Sequence, residues 1–354
     1  MLVLTVGLPG LFTDWGESVI AALITRAYGA PKVIVADKLD DIAETVIVSD
    51  VEDLVVAVRQ PDARLRRAML ASVKPMVVFL DDPRQAALNL IANHAYSVVL
   101  AVRVVSAGCV KLMDFGKSES ALVLMRGPDE TDRPASIRKL AAHIGVQLSE
   151  SDMLELIEQF SQDEAGEPDI EPKSGRMQAA LSTLPERDRA ILDETLGTYA
   201  DALAGQMPTR LIWPRDLFGV ADSPNEPAMR DIDIAGRARC LVFGPYMPVF
   251  AGNWKARMIL GFSAETVGVP FTVDVGTPER IAHTAIIPDA AGVFEVSLDF
   301  TIEEPDGPVE IRVFMDRAAF DGHIALGFVA LTPGQTPVAQ ASSVEDYLAG
   351  RLSA

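Results

Sequence analysis

Residues 1–20, MLVLTVGLPGLFTDWGESVI, carry the reading that decides the fold. Leu2 to Val6 is a short apolar run, Gly7-Leu8-Pro9-Gly10 breaks it, and from Gly16 to Tyr28 the apolar residues return at helical spacing. A strand that ends in a glycine turn and feeds a helix is the opening unit of a doubly wound α/β domain. The run has no basic leader and is interrupted at once, so it reads as a first strand and not as a signal peptide.

Working outward, the same alternation continues. Strands are predicted at Val33 to Ala36, Thr45 to Val48, Met76 to Leu80 and Ala121 to Met125, and helices at Ala63 to Ser72, Pro83 to His94 and Pro134 to Ile144. Ser149, followed three residues later by Asp152, has the chemistry of a helix start. Residues 161–176 are rich in Asp, Glu, Pro and Gly and read as a connector. Met177 to Ala204 reads as helical, with Pro185 opening its second helix.

After residue 230 the texture changes to short strands between Gly, Pro and Asp turns. In EVSLDFTI, residues 295–302, Val296, Leu298, Phe300 and Ile302 share one face, and Glu295, Ser297, Asp299 and Thr301 the other. Such alternation predicts antiparallel sheets, each with one wet side. The expected architecture is a parallel α/β domain over 1–205, a linker over 206–230, a jelly-roll-like antiparallel β-sandwich over 231–335 and a C-terminal helix or tail over 336–354, opened by Ser342 and Glu345.

Composition limits the function. The 354 residues hold 31 Lys+Arg against 50 Asp+Glu, a net charge of −19 that both halves share, which argues against a nucleic-acid binder because phosphate neutralisation needs clustered cations. Cys109 and Cys240 are too few for a disulfide framework or zinc cluster and read as buried thiols. Four scattered His residues show no metal spacing, and no Gly-x-Ser-x-Gly elbow is present. SVVLAVRVVSAGCVKL, the longest apolar stretch, is broken by Arg103, so no membrane span is expected. A soluble, cytoplasmic protein follows as the expectation.

The turn at Gly7 is not a Walker A loop, since no Gly-Lys-Ser/Thr closes it. It resembles the 5′-phosphosulfate loop of the sulfotransferase family, which commonly reads GLPRSGTTW or TYPKSGTTW. Gly7, Leu8, Pro9, Thr13 and Trp15 match; Gly10 stands for the Lys/Arg, Leu11 for the Ser, Phe12 for the Gly and Asp14 for a Thr. VVFLDDPRQAALNLIANH, residues 77–94, resembles the family's 3′-phosphate motif, with Pro83 matching, Asp81 in place of the phosphate-binding Arg and Asn89 in place of the Ser. SIRKLAAHIGVQLSESDMLELIEQF and PKSGRMQAALS, the latter with Lys173 and Gly175, extend the likeness to about residue 204. The resemblance implies a sulfotransferase-like, P-loop-like fold with eroded anion sites. If nucleotide binding survives, it implies 3′-phosphoadenosine 5′-phosphosulfate held by Gly7, Pro9, Gly10, Thr13, Arg84 and Lys173. Glu17 and His94 are then the candidate bases, because sulfuryl transfer needs a group to take the acceptor proton.

In the second half, LVFGPYMPVFAGNWKARMILGF, residues 241–262, resembles the opening of β-sandwich modules attached to bacterial surface-polysaccharide enzymes and of related carbohydrate-binding domains. It implies a sugar site built from Tyr246, Asn253, Trp254 and Arg312, with aromatic platforms beside a few polar groups. The leading expectation is therefore a non-catalytic sulfotransferase-like protein, without cofactor, that recognises or helps process a bacterial surface polysaccharide. An active carbohydrate sulfotransferase is the alternative. A structural or assembly protein, as a homo-oligomer or with a protein partner, is the third class.

Overall fold

Strands β1 (Leu2–Gly7), β3 (Leu54–Val58) and β4 (Met76–Leu80) are buried almost throughout, as parallel strands covered on both faces must be. With β2 (Lys32–Val35) and β5 (Ala121–Met125) at the edges they form an all-parallel sheet of order β2-β3-β1-β4-β5 in this computed structural model. The structure describes residues 1–48, 53–126, 133–161, 173–206, 208–277, 279–304 and 307–334. The helices between the strands are α1 (Leu11–Tyr28), α2 (Leu39–Val48), α3 (Ala63–Leu70), α4 (Pro83–His94) and α5 (Val98–Phe115). They are followed by α6 (Arg133–Ile144), α7 (Glu150–Ser161), α8 (Lys173–Thr183) and α9 (Glu186–Leu203).

The chain passes from β1 to one edge of the sheet and returns across it to β4. Right-handed crossovers therefore place α1 on one face and α3 to α5 on the other. Burial agrees: Val19, Ile20, Leu23 and Ile24 of α1 share a core with α6 and α7, while α3, α4, α5 and α9 contribute to a second core. The carboxyl end of β1 is thus a topological switch point, where open α/β sheets form a crevice. Gly16 lets α1 settle against β4, because a Cβ there would lie 2.0 Å from the Phe79 ring.

Two local expectations change. Thr45 to Val48 belongs to helix α2, opened by Asp40 and Asp41, and the strand is the following apolar run Leu54–Val58. The β-branched residues of 45–48 suit either state, and the sheet takes the segment that can be apolar on both faces. The apolar stretch around Arg103, given no element from sequence, is α5, capped by Ser97, whose Oγ accepts the Leu100 N–H at 3.3 Å. Among the described residues no helix is long and apolar enough to cross a membrane.

The second half contains β6 (Leu211–Pro214), β7 (Gly219–Val220), β8 (Ser223–Pro227), β9 (Ile232–Asp233), β10 (Arg239–Met247) and β11 (Gly252–Phe262). It continues with β12 (Phe271–Thr277), β13 (Glu279–Ile286), β14 (Gly292–Ile302), β15 (Val309–Met315) and β16 (His323–Pro333). One sheet runs β13-β12-β15-β10-β7-β8 and the other β14-β11-β16-β6, with β9 also pairing to β16. Their apolar faces meet, with Phe262 of β11 and Phe271 of β12 at 5.2 Å between ring centroids. The fold is thus a parallel α/β sheet followed by antiparallel sheets packed as a sandwich, the class expected from sequence.

Residues 206–230 differ from the expected linker. Leu211 and Trp213 are buried, and β6 and β8 close the ends of the two sheets. Edge positions tolerate the prolines that made this segment read as a connector, because an edge strand can lack an N–H on its open side. The two halves also share one core, in which Val105, Tyr199, Trp213 and Phe250 belong to a single cluster. Tyr199 Oη donates to Pro248 O at 2.9 Å, and Arg103 of α5 donates to Pro245 O at 2.7 Å and Leu217 O at 3.0 Å. The helix or tail expected over 336–354 lies outside the described residues.

Candidate functional site

The switch-point crevice is built on the loop Gly7 to Gly10. Gly7 is required there by close approach, since a Cβ would fall 2.5 Å from Thr13 Oγ1. The Thr13 hydroxyl donates to Leu8 O at 2.7 Å, and Asn89 Nδ2 donates to Pro9 O at 3.0 Å. Thr13 and Asn89, two of the residues that the resemblance aligned with anion contacts, are therefore used to close the loop. Gly10 is the extended N-cap of α1 and brings no capping side chain.

The first turns of α1 face acids and bases in pairs. Asp14 meets Lys173 Nζ at 2.9 Å and Arg59 at 3.6 Å. Glu17 accepts two bonds from Arg59, at 2.6 and 2.7 Å, and a third from Thr5 Oγ1 at 2.8 Å. Arg59 follows β3, and its own N–H and that of Gln60 donate to Asp37 Oδ1. Burial opposes the Arg59 charge, but Glu17, Asp14 and Asp37 hold its pKa above the ordinary value. Sequence reasoning placed Glu17, Asp14 and Lys173 here but missed Arg59; its position at the carboxyl end of a central parallel strand is the signal that marks it.

Asp81 ends β4, and its side chain is only 2% exposed. Oδ1 accepts the Asp82 N–H at 2.9 Å, whereas Oδ2 has no hydrogen-bond partner. A Cβ on Gly10 would lie 2.9 Å from Oδ2, so this oxygen rests against the positive end of α1. Burial raises the Asp81 pKa, opposed by Arg126 at 3.9 Å and by the Asp82 backbone N–H. Beside it a cavity of about 190 Å3 is lined by Leu11, Gln85, Arg126, Met177 and Gln178.

The other nucleotide candidates do not add free cations. Arg84 binds both carboxylate oxygens of its neighbour Asp82, with Nη2 to Oδ2 at 2.6 Å. His94 is exposed in the last turn of α4, about 16 Å along the helix from Pro83 and hence away from the crevice.

The four sugar candidates fall in two places. Tyr246 and Arg312 lie on the outer face of the six-stranded sheet. Tyr246 Oη donates to Glu310 at 2.8 Å, under the Arg103 guanidinium, which is 5.5 Å from its ring centroid. Burial, followed by Glu310, pushes the Tyr246 phenol up to about 12. Arg312 donates twice to Asp274, at 2.7 and 3.1 Å, and Arg280 donates to the same fully buried carboxylate at 2.8 Å. Asn253 and Trp254 belong to the other sheet. Asn253 accepts from Thr301 at 2.8 Å beside a crevice of about 660 Å3. Trp254 is 2% exposed and donates Nε1 to Phe250 O at 2.8 Å, so its ring is core and does not offer a stacking face; its inward register on β11 explains this.

Cys109 is buried and Cys240 half-buried, both free; burial raises the Cys109 thiol far above its ordinary range and Cys240 to about 11. Neither is poised as a thiolate nucleophile.

No protein-family model matches the chain, and no curated protein matches it in sequence. Among solved structures it is similar to a mouse sulfotransferase complexed with PAP, at 10% identity and a TM-score of 0.40 over 56% of this chain and 83% of that one. It is also similar to the CBM36-1 domain of a multidomain xylanase from the hindgut metagenome of Trinervitermes trinervoides, at 8% identity and a TM-score of 0.26 over 36% of this chain and 99% of that domain. A third likeness is to the C-terminal CBM6 of LamC, a marine laminarinase from Zobellia galactanivorans, at 9% identity and a TM-score of 0.23 over 35% of this chain and 98% of that one.

Proposed function

We propose that this chain is a carbohydrate-recognition protein whose α/β unit is a scaffold and not a sulfonucleotide-dependent transferase. The observation that carries the reading is Asp81 Oδ2 lying against the N-cap of α1, the position from which a helix N-terminus would otherwise attract an anion. The nearby cations each face an acid: Arg59 is held by Glu17 and Asp14, Lys173 by Asp14 and Arg84 by Asp82, and Arg126 lies 3.9 Å from Asp81. A phosphate or sulfate entering here would meet three carboxylates, two of them paired and one buried. The residues present therefore do not fit 3′-phosphoadenosine 5′-phosphosulfate.

Recognition then falls to the sandwich, where a crevice of about 660 Å3 sets Lys255, Asp299 and Thr332 beside Pro333. A sugar ring offers hydroxyls that donate and accept, and C–H faces that cover apolar surface, which suits such mixed crevices. The test is a glycan array probed with the full chain. Reproducible binding to a defined set of glycans supports the reading, and absence of binding to all of them overturns it.

A further inference from the structure

Where the middle of α9, at Glu194, meets the outer face of the antiparallel sheet β14-β11-β16-β6, a groove of about 400 Å3 opens between the two halves. Its floor is apolar: Ile212 and Pro214 of β6, and Phe328 of β16, which is 37% exposed. Arg210, Arg215 and Glu194 converge on its rim. Arg210 lies 5.8 Å from the Phe328 ring centroid. Among the described residues, the Arg215 and Glu194 side chains make no hydrogen bond or ion pair, whereas Asp216 beside them is bound by Arg187. This contrasts with Tyr246, Arg312 and Asn253, each of which is satisfied within the sandwich.

We infer that this groove is a binding site for a neutral pyranose glycan, an inference that rests on the carbohydrate reading above. Phe328 and the Ile212-Pro214 floor cover the C–H face of a sugar ring, Glu194 accepts from its hydroxyls, and Arg215 and Arg210 donate to them. Unspent donors beside an unspent acceptor match hydroxyls, which are both. A uronate carboxylate would be drawn by Arg210 and Arg215 but opposed by Glu194 and by a protein of net charge −19, which makes the oligogalacturonate the competing ligand in the test. The junction also holds the floor and rim in place, because β6 is paired to β16 and α9 belongs to the shared core.

The experiment titrates the full chain with neutral gluco-, manno- and galacto-oligosaccharides and with an oligogalacturonate of equal length. At least one neutral series should bind, and Phe328→Ala and Glu194→Ala should each weaken it about tenfold or more. Both positions are exposed, so melting temperatures should stay close to the unsubstituted chain. Neutral-glycan binding that survives both substitutions overturns the site while leaving the carbohydrate reading intact. Binding of the oligogalacturonate alone overturns the ligand class. Failure of every glycan overturns this inference together with the reading it rests on.

Discussion

The guanidinium of Arg59 clamps the Glu17 carboxylate of α1 through two hydrogen bonds of 2.6 and 2.7 Å. The side chains are 19% and 13% exposed, so the pair ties β3 to α1 in a largely dry setting. Arg59→Met would leave Glu17 and Asp14 without this cation, and breaking such a pair costs about 3 kcal/mol or more. Urea unfolding should show that loss, and the double variant Arg59→Met with Glu17→Gln should recover part of it. A loss below about 0.5 kcal/mol would mean the pair behaves as a surface ion pair.

Asp81 predicts a pH signature. Its folded pKa is raised, chiefly by burial, so the ionised form is disfavoured in the native state. Its contribution to stability is then full below the unfolded carboxyl value of about 3.9 and is lost as pH rises through the higher folded value. Asp81→Asn should remove this component and be more stable than the unsubstituted chain at neutral pH. Urea midpoints of both proteins across the acidic to neutral range give the difference curve; a curve flat with pH contradicts the assignment.

Gly16 marks the closest approach of α1 to the sheet. Gly16→Ala drives a methyl into the Phe79 ring, and overpacking of this kind costs about 1–3 kcal/mol or more, despite the better helix propensity of Ala. Thermal unfolding should show a lower melting temperature; a higher one would mean α1 stands off from β4.

Trp254 is expected to act in stability. Trp254→Ala should cost about 3–5 kcal/mol by emptying the sandwich core. Trp254→Phe keeps much of that volume and should leave glycan affinity unchanged, whereas a stacking role would make affinity fall with folding intact.

Much of this was legible in the sequence where one segment specifies itself. The β1 turn and α1, the strand into Pro83, the Pro185 helix start and the alternation of β14 all carry local chemistry. Placement across the chain was not legible. Arg59 and Lys173 reach α1 from 42 and 159 residues away from their partners Glu17 and Asp14, so the acids at the loop looked uncompensated when read alone. Residues 211–227 looked like a connector because proline suits both linkers and edge strands. Trp254 looked available because alternation tells which residues share a face, and only the second sheet decides which face is covered. The groove at Phe328 combines β6, α9 and β16, and nothing local announces it.

The central claim is that internal acids close the anion site of the α/β unit. Isothermal titration of the full chain with 3′-phosphoadenosine 5′-phosphate at millimolar concentration tests it most directly. The account predicts no saturable heat, and saturable binding with a submillimolar Kd would contradict it.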